Sequence, residues 1–262
     1  MDKMRVHTRS LVLSTLALLS FIFLAEAQQP KGATNPDVTM LVGDLQQGGH
    51  FAFRQKLRAG SSSSPHFHTA DYHITVLSGK LYVGYGKKVD KASAKPLEAG
   101  TFLTIPAMQN HYEWTDEETV LQVYGRGAAK TEFKRLSKGT NEIQKHDSYD
   151  TPIEMTPGPK IVQVHGDVTK DGLYCLRLRI SPGTSYPPHR HPFDQYVTVL
   201  KGTLIIGFGE DADLTRMDTV KAGGFLVIGE RRVHYEQFPE ETIVQIHGLE
   251  PLQTEFIKPG DK

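Results

Sequence analysis

Shifted against itself by 123 residues, the 262-residue chain repeats without a gap. Residues 41–134 align with 164–257, with about 34 of 94 positions identical. Gly43-Asp44 falls on Gly166-Asp167, and Pro65-His66-x-His68 on Pro188-His189-x-His191. Thr75-Val76-Leu77-x-Gly79 falls on Thr198-Val199-Leu200-x-Gly202, and Gly84 and Gly86 on Gly207 and Gly209. His111-Tyr112-Glu113 falls on His234-Tyr235-Glu236, and Thr131-Glu132-Phe133 on Thr254-Glu255-Phe256. Two copies of about 95 residues are two like domains, because a solenoid needs shorter units and more of them. The polar stretch 135–160 holds three prolines and no period. The expected division is a first domain over 28–140, a linker over 141–160 and a second domain over 161–262.

Each copy reads as β. Phe51–Leu57 (FAFRQKL) and Tyr174–Ile180 (YCLRLRI) alternate apolar and polar residues, and Leu176, Leu178 and Ile180 share a face opposite Arg177 and Arg179. Short runs follow at 74–77, 80–84, 101–105 and 119–125, rich in Val, Ile, Thr and Tyr. No window carries an amphipathic helix. Many short strands at close spacing mean a sandwich or a small barrel per copy.

The first 27 residues stand outside that fold. Lys3, Arg5 and Arg9 precede an apolar run from Leu11 to Leu24, and Ala25-Glu26-Ala27 gives the small-x-small cleavage pattern. This reads as a secretory signal peptide cleaved after Ala27, and it places the mature chain in the periplasm or outside the cell. No later segment approaches the apolar length of a membrane span. Basic and acidic residues balance at 30 each, so nothing supplies the positive field that nucleic acid requires. The single cysteine, Cys175, permits neither an intramolecular disulfide nor a Cys-based zinc cluster, and reads as a small apolar filler.

Histidine is the unusual count, at 12. His66 and His68 are two apart, so on a strand they face the same way, about 6.6 Å apart along the chain. His111 follows His68 by 43 residues, and His234 follows His191 by the same 43. One His-x-His pair is commonly a surface accident. Two at identical offset, each with a third His at identical distance, are a pattern fit for one metal per copy; a relic copy that keeps its histidines for packing is the other reading.

These motifs resemble those of the cupin superfamily, and specifically of a bicupin. The first cupin motif, G-x5-H-x-H-x3-E-x6-G, is matched by Gly60, His66, His68, Tyr72 and Gly79, and again by Gly183, His189, His191, Gln195 and Gly202. The second, G-x5-P-x-G-x2-H, is matched by Gly100, Pro106 and His111 except for Met108 at the second glycine, and in the other copy by Gly223 and His234, with Gly229 and Arg231 in place of the proline and the second glycine. The resemblance implies an all-β fold of two tandem jelly-roll barrels. It implies one divalent transition metal per domain (Fe, Mn, Zn, Ni or Cu) on His66, His68 and His111 and on His189, His191 and His234. The usual glutamate ligand is absent from both copies. Tyr72, Gln195 and the adjacent His73 are the additional ligand candidates.

Without that carboxylate a metal keeps its full charge and favours a small substrate that brings an anion, such as an enolate or a hydroxy acid. A dioxygenase-type enzyme is the favoured reading. Another metal-assisted reaction (isomerase, decarboxylase) and a non-catalytic binder of metal or small molecule are the alternatives. Asp71 and Asp194 are the only matched carboxylates near the motif, as bases or as turn residues. Tyr112 and Tyr235 should face away from the metal. Gln122 and Gln245 should line either the barrel interior or the solvated outer face, and His165 and His247 are structural or at the surface. A homo-oligomer is compatible with the sequence; no nucleic acid or membrane partner is expected.

Overall fold

The structure is a computed structural model. It describes residues 37–92, 94–133, 144–146, 160–249 and 251–257. The stretch 1–27 read as a signal peptide and most of the expected 141–160 linker lie outside the described residues.

Period-two alternation is realised in both copies. On the strand Leu173–Ile180, Tyr174, Leu176, Leu178 and Ile180 enter one core, while Cys175 and Arg177 face the other way. On Tyr72–Ser78, Tyr72, Ile74 and Val76 point inward, and His73 and Thr75 point outward. Most of both faces of these strands is buried, and Arg177 is buried with its guanidinium hydrogen-bonded to Gln245.

Each domain is a pair of facing antiparallel sheets. In the first, one sheet runs in the order Asp37–Val42, His50–Leu57, Thr119–Arg126, Tyr72–Ser78, Phe102–Ile105, Gln144–His146. The opposing layer contains Leu97–Glu98, Lys80–Tyr85 and His111–Trp114, extended by bridges from Ser62 to Trp114 and from His66 to His111. In the second domain the sheets run Lys160–His165, Leu173–Ile180, Thr242–Leu249, Gln195–Lys201, Phe225–Ile228, and Asp218–Lys221, Thr203–Phe208, His234–Phe238, Thr184–Arg190, Glu255–Phe256. Among the described residues there is no helix.

Part of the expected linker is not a connector. Gln144–His146 pairs antiparallel with Phe102–Ile105 and closes the edge of the first domain's sheet. A three-residue edge strand needs only backbone pairing, so it leaves no side-chain period to read.

The two large sheets meet through their outer faces. Phe102 of the first domain packs with Val164 and Cys175 of the second, and Ala52 and Tyr124 pack with Tyr196. The buried amide of Gln122 donates to the Thr198 hydroxyl (2.6 Å), and that of Gln245 donates to Thr75 (2.9 Å). Gln122 and Gln245 therefore line neither the barrel interior nor solvent; they join the domains as a pseudo-symmetric pair. Arg177 donates to the Gln245 carbonyl from Nε (3.0 Å) and Nη2 (2.9 Å), and Arg54 reaches that of Gln122 (3.3 Å). Cys175 fills this seam, and burial pushes its thiol pKa up.

Candidate metal centres

The first motif arrives on an extended segment and the third histidine on a neighbouring strand. His66 and His111 exchange backbone hydrogen bonds, each N–H donating to the other's carbonyl at 2.9 Å. His189 and His234 are likewise opposite one another across their strands. Pairing thus brings together residues far apart in the chain. In each barrel one ligand-capable nitrogen from each of the three imidazoles lies within 4.8 Å of the others.

The outer nitrogens are tethered. His66 Nδ1 donates to the Ser64 carbonyl (2.8 Å), and His111 Nδ1 to that of Gln109 (2.9 Å). His189, His191 and His234 use Nδ1 in the same way on Pro187 (2.8 Å), Gln253 (2.7 Å) and Arg232 (3.0 Å). His68 Nδ1 shares a hydrogen bond with the Thr131 hydroxyl (3.1 Å). A carbonyl can only accept, so Nδ1 carries the proton there and Nε2 keeps its lone pair. His111 Nε2 is buried with no hydrogen-bond partner. Burial, then the neighbouring His66, holds the His111 pKa down at about 3, and burial, then His189, does the same for His234. Uncharged imidazoles with converging free lone pairs fit a divalent transition metal.

The additional ligand candidates separate. Tyr72 lies in the first site: its ring stacks on His68 at 3.8 Å between centroids with a 10° tilt. Burial raises its hydroxyl to about 12, so it stays protonated at neutral pH. Gln195 is buried on the inward side of its strand, with Val197 and Val199. His73 is a correction. Being next to Tyr72 on a strand, it faces the opposite way, into the domain seam, with its ring 4.3 Å from His165 and 5.6 Å from His247. It belongs to that buried cluster, so the four-histidine site in the first domain is not built. His165 and His247 are structural, as one of the two alternatives had it, and His247 is buried.

Asp71 and Asp194 are loop braces. Asp71 Oδ1 accepts the Ala107 N–H and Asp194 Oδ1 the Glu230 N–H, both at 2.6 Å. They pin the turn that carries Met108 and Arg231, the residues standing where the second cupin motif has its second glycine. Both hold left-handed backbone, φ 63° and 54°, so the turn survives without glycine at some strain. Tyr112 and Tyr235 face away from the metal site as expected. Tyr112 accepts the Asp90 N–H (2.7 Å) and donates to its carbonyl (2.8 Å), and Tyr235 does the same with Asp213. Their rings occupy the space a side chain would take at Gly84 and Gly207, where a Cβ would sit 2.2 Å from a ring carbon.

The residue that sequence reasoning missed is the glutamate two after the last histidine. Glu113 Oε2 is 3.8 Å from His111 Nε2. Because that imidazole is neutral, this is a carboxylate beside a free lone pair and not an ion pair. Burial raises the equivalent Glu236 to about 7. The signal was present: His-Tyr-Glu recurs in both copies, and strand alternation puts Glu on the side of His. So the carboxylate absent from the first motif has a counterpart on the second.

Residues 25–141 match the family described as a domain of unknown function, DUF4437. Germin-like protein 1-1 of Oryza sativa subsp. japonica is 35% identical over 77 residues, 29% of this chain and 36% of that protein. Germin-like protein 5-1 of the same plant is 30% identical over 108 residues, 40% of this chain and 45% of that protein. The chain thus spans less than half the length of these curated relatives. Among solved structures, a salicylate 1,2-dioxygenase from Pseudaminobacter salicylatoxidans superposes with a TM-score of 0.64 at 13% identity, over 88% of this chain and 90% of that one. A cupin 2 conserved barrel domain protein from Leptotrichia buccalis gives 0.61 at 14% identity, over 84% and 92%. At such identities the likeness speaks for the fold. On that evidence the chain has the fold of two tandem cupin-type barrels.

Proposed function

We propose that this protein is an exported, metal-dependent enzyme of the dioxygenase type, acting on a small chelating, anionic or enolisable substrate. The observation that carries the reading is the pair of three-imidazole clusters with tethered Nδ1 atoms. His66, His68 and His111 would hold one divalent metal, and His189, His191 and His234 a second. When bound, such a metal polarises a chelated oxygen and supplies redox chemistry toward dioxygen. Three protein ligands leave coordination positions for substrate, as catalytic sites require. The hydrogen bonds to Nδ1 orient each ring, and the five that go to backbone carbonyls fix the tautomer. Tyr72 covers one face of His68. Glu113 and Glu236 place a hydrogen-bond acceptor beside the third histidine, where a substrate proton can be held. The salicylate dioxygenase among the similar structures supports oxygen chemistry on a chelating hydroxy acid.

The test is metal content followed by oxygen uptake. The chain from Gln28 onward should bind about two metals, one lost in His66→Ala/His68→Ala and the other in His189→Ala/His191→Ala. Oxygen consumption should then appear with one of a panel of hydroxy acids, 2-oxo acids and β-diketones. Unchanged metal content in both double variants would sink the reading. Export is part of it: exported protein should begin at Gln28, and retention of Met1 in that fraction would remove it.

A further inference from the structure

The two barrels are not copies where substrate would lie. In the first, Tyr85 is directly opposite His111 on the neighbouring strand and packs against the barrel core. Its hydroxyl is buried and has no hydrogen-bond partner. In the second, Tyr186 is directly opposite Glu236, 6.2 Å ring to ring from His189, and its hydroxyl is also buried without a partner. Each phenol is near a carboxylate: with Tyr85 opposite His111 and Val83 opposite Glu113, Tyr85 stands diagonally across the strand pair from Glu113, and Tyr186 is directly opposite Glu236. The two tyrosines are not equivalent in the repeat. The counterpart of Tyr85 is Phe208, and that of Tyr186 is Ser63. They stand on the two strands that flank the third-histidine strand, one on each side.

We infer that Glu113 with Tyr85, and Glu236 with Tyr186, form the wall that holds substrate in each barrel, and that each pair takes a hydroxyl group of a chelating acid. A protonated phenol donates and a carboxylate accepts. The group that answers both is one that accepts and donates, which a hydroxyl does and a bare chelating anion does not. An idle buried hydroxyl is a place where a partner is missing in the free protein. Because the phenol comes from opposite sides in the two barrels, the second hydroxyl is held in a different direction at each metal, and the two sites select different substrate orientations. This inference rests on the metal-binding reading above.

The experiment uses the mature protein loaded with Co(II), whose visible band reports ligand binding. It is titrated with 2-hydroxybenzoate and with 2,5-dihydroxybenzoate, in wild type, Tyr85→Phe and Tyr186→Phe. Each variant should weaken the dihydroxy acid at one of the two sites by about 10-fold, and leave the monohydroxy acid within about 2-fold. Without ligand or metal, each Phe variant should melt at the wild-type temperature or slightly above, because the hydroxyl it loses has no partner; a structural hydroxyl would melt lower. Two Co(II) bound with both acids unaffected by either variant overturns the inference and leaves the metal reading standing. A lowered melting temperature, or failure of both acids to bind the loaded protein, also overturns it. Failure to take up Co(II) removes the metal reading and the inference together.

Discussion

Replacing Thr75 or Thr198 with valine tests whether the domains are locked in the way their seam implies. Gln122 and Gln245 are at most 2% exposed, and each sends its amide N–H across the seam to one of these hydroxyls. Valine keeps the shape and removes the acceptor, so a buried N–H is stranded while Arg54 and Arg177 still hold the carbonyl end. Leaving such a donor unmade costs about 1–3 kcal/mol. For a mature chain of this size that is a fall of about 2–4 °C in Tm per kcal/mol, or roughly 2–12 °C per variant. Thr75 is the cross-strand neighbour of Gln122, and Thr198 of Gln245, so the four residues form one cluster. The double variant should then depart from additivity by at least about 0.5 kcal/mol. Calorimetry and urea unfolding of the four proteins measure this. Single variants within about 0.5 kcal/mol of wild type, with strict additivity, would show that water satisfies these amides and that the outer faces do not dock.

Acid should weaken the seam through His73, which faces Phe102, Tyr124, His165 and His247. Burial holds its pKa at about 3 against 6.5 in the unfolded chain, so between those values only the unfolded state takes the proton and stability falls as pH drops below 6.5. His73→Phe should lose about 2 kcal/mol less than wild type between pH 7 and pH 5 in chemical denaturation, and an equal loss refutes the assignment. Gly84→Ala drives a methyl into the Tyr112 ring held by Asp90, and should lower stability by about 1–3 kcal/mol or more in a thermal melt. Met108→Gly and Arg231→Gly should keep or raise stability, whereas valine at either left-handed position should lower it by about 1 kcal/mol; a stabilising valine would mean the turn is not held as described.

Local rules carried the sequence reading far. The repeat implies two domains, period-two alternation implies strands, and a His-x-His pair on a strand puts two imidazoles on one side whatever the chain does elsewhere. The same rule applied to His111-Tyr112-Glu113 would have found the carboxylate beside the third histidine, and applied to Tyr72-His73 it would have kept His73 out of the site. Those two were legible and were missed because the family motif drew attention to other positions. Docking of one domain on the other was not legible. It turns an outer sheet face, with Gln122, Gln245, His73 and His247, into an interior, and burial of a face depends on a partner surface that no local pattern specifies. The substrate wall was hidden for a related reason. Tyr85 and Tyr186 occupy unmatched positions of the repeat, and only strand pairing sets Tyr85 opposite His111 and Tyr186 opposite Glu236. Sequence determined which residues share a side of a strand; tertiary structure decided which sides meet, because pairing and packing act between residues that the chain itself keeps far apart.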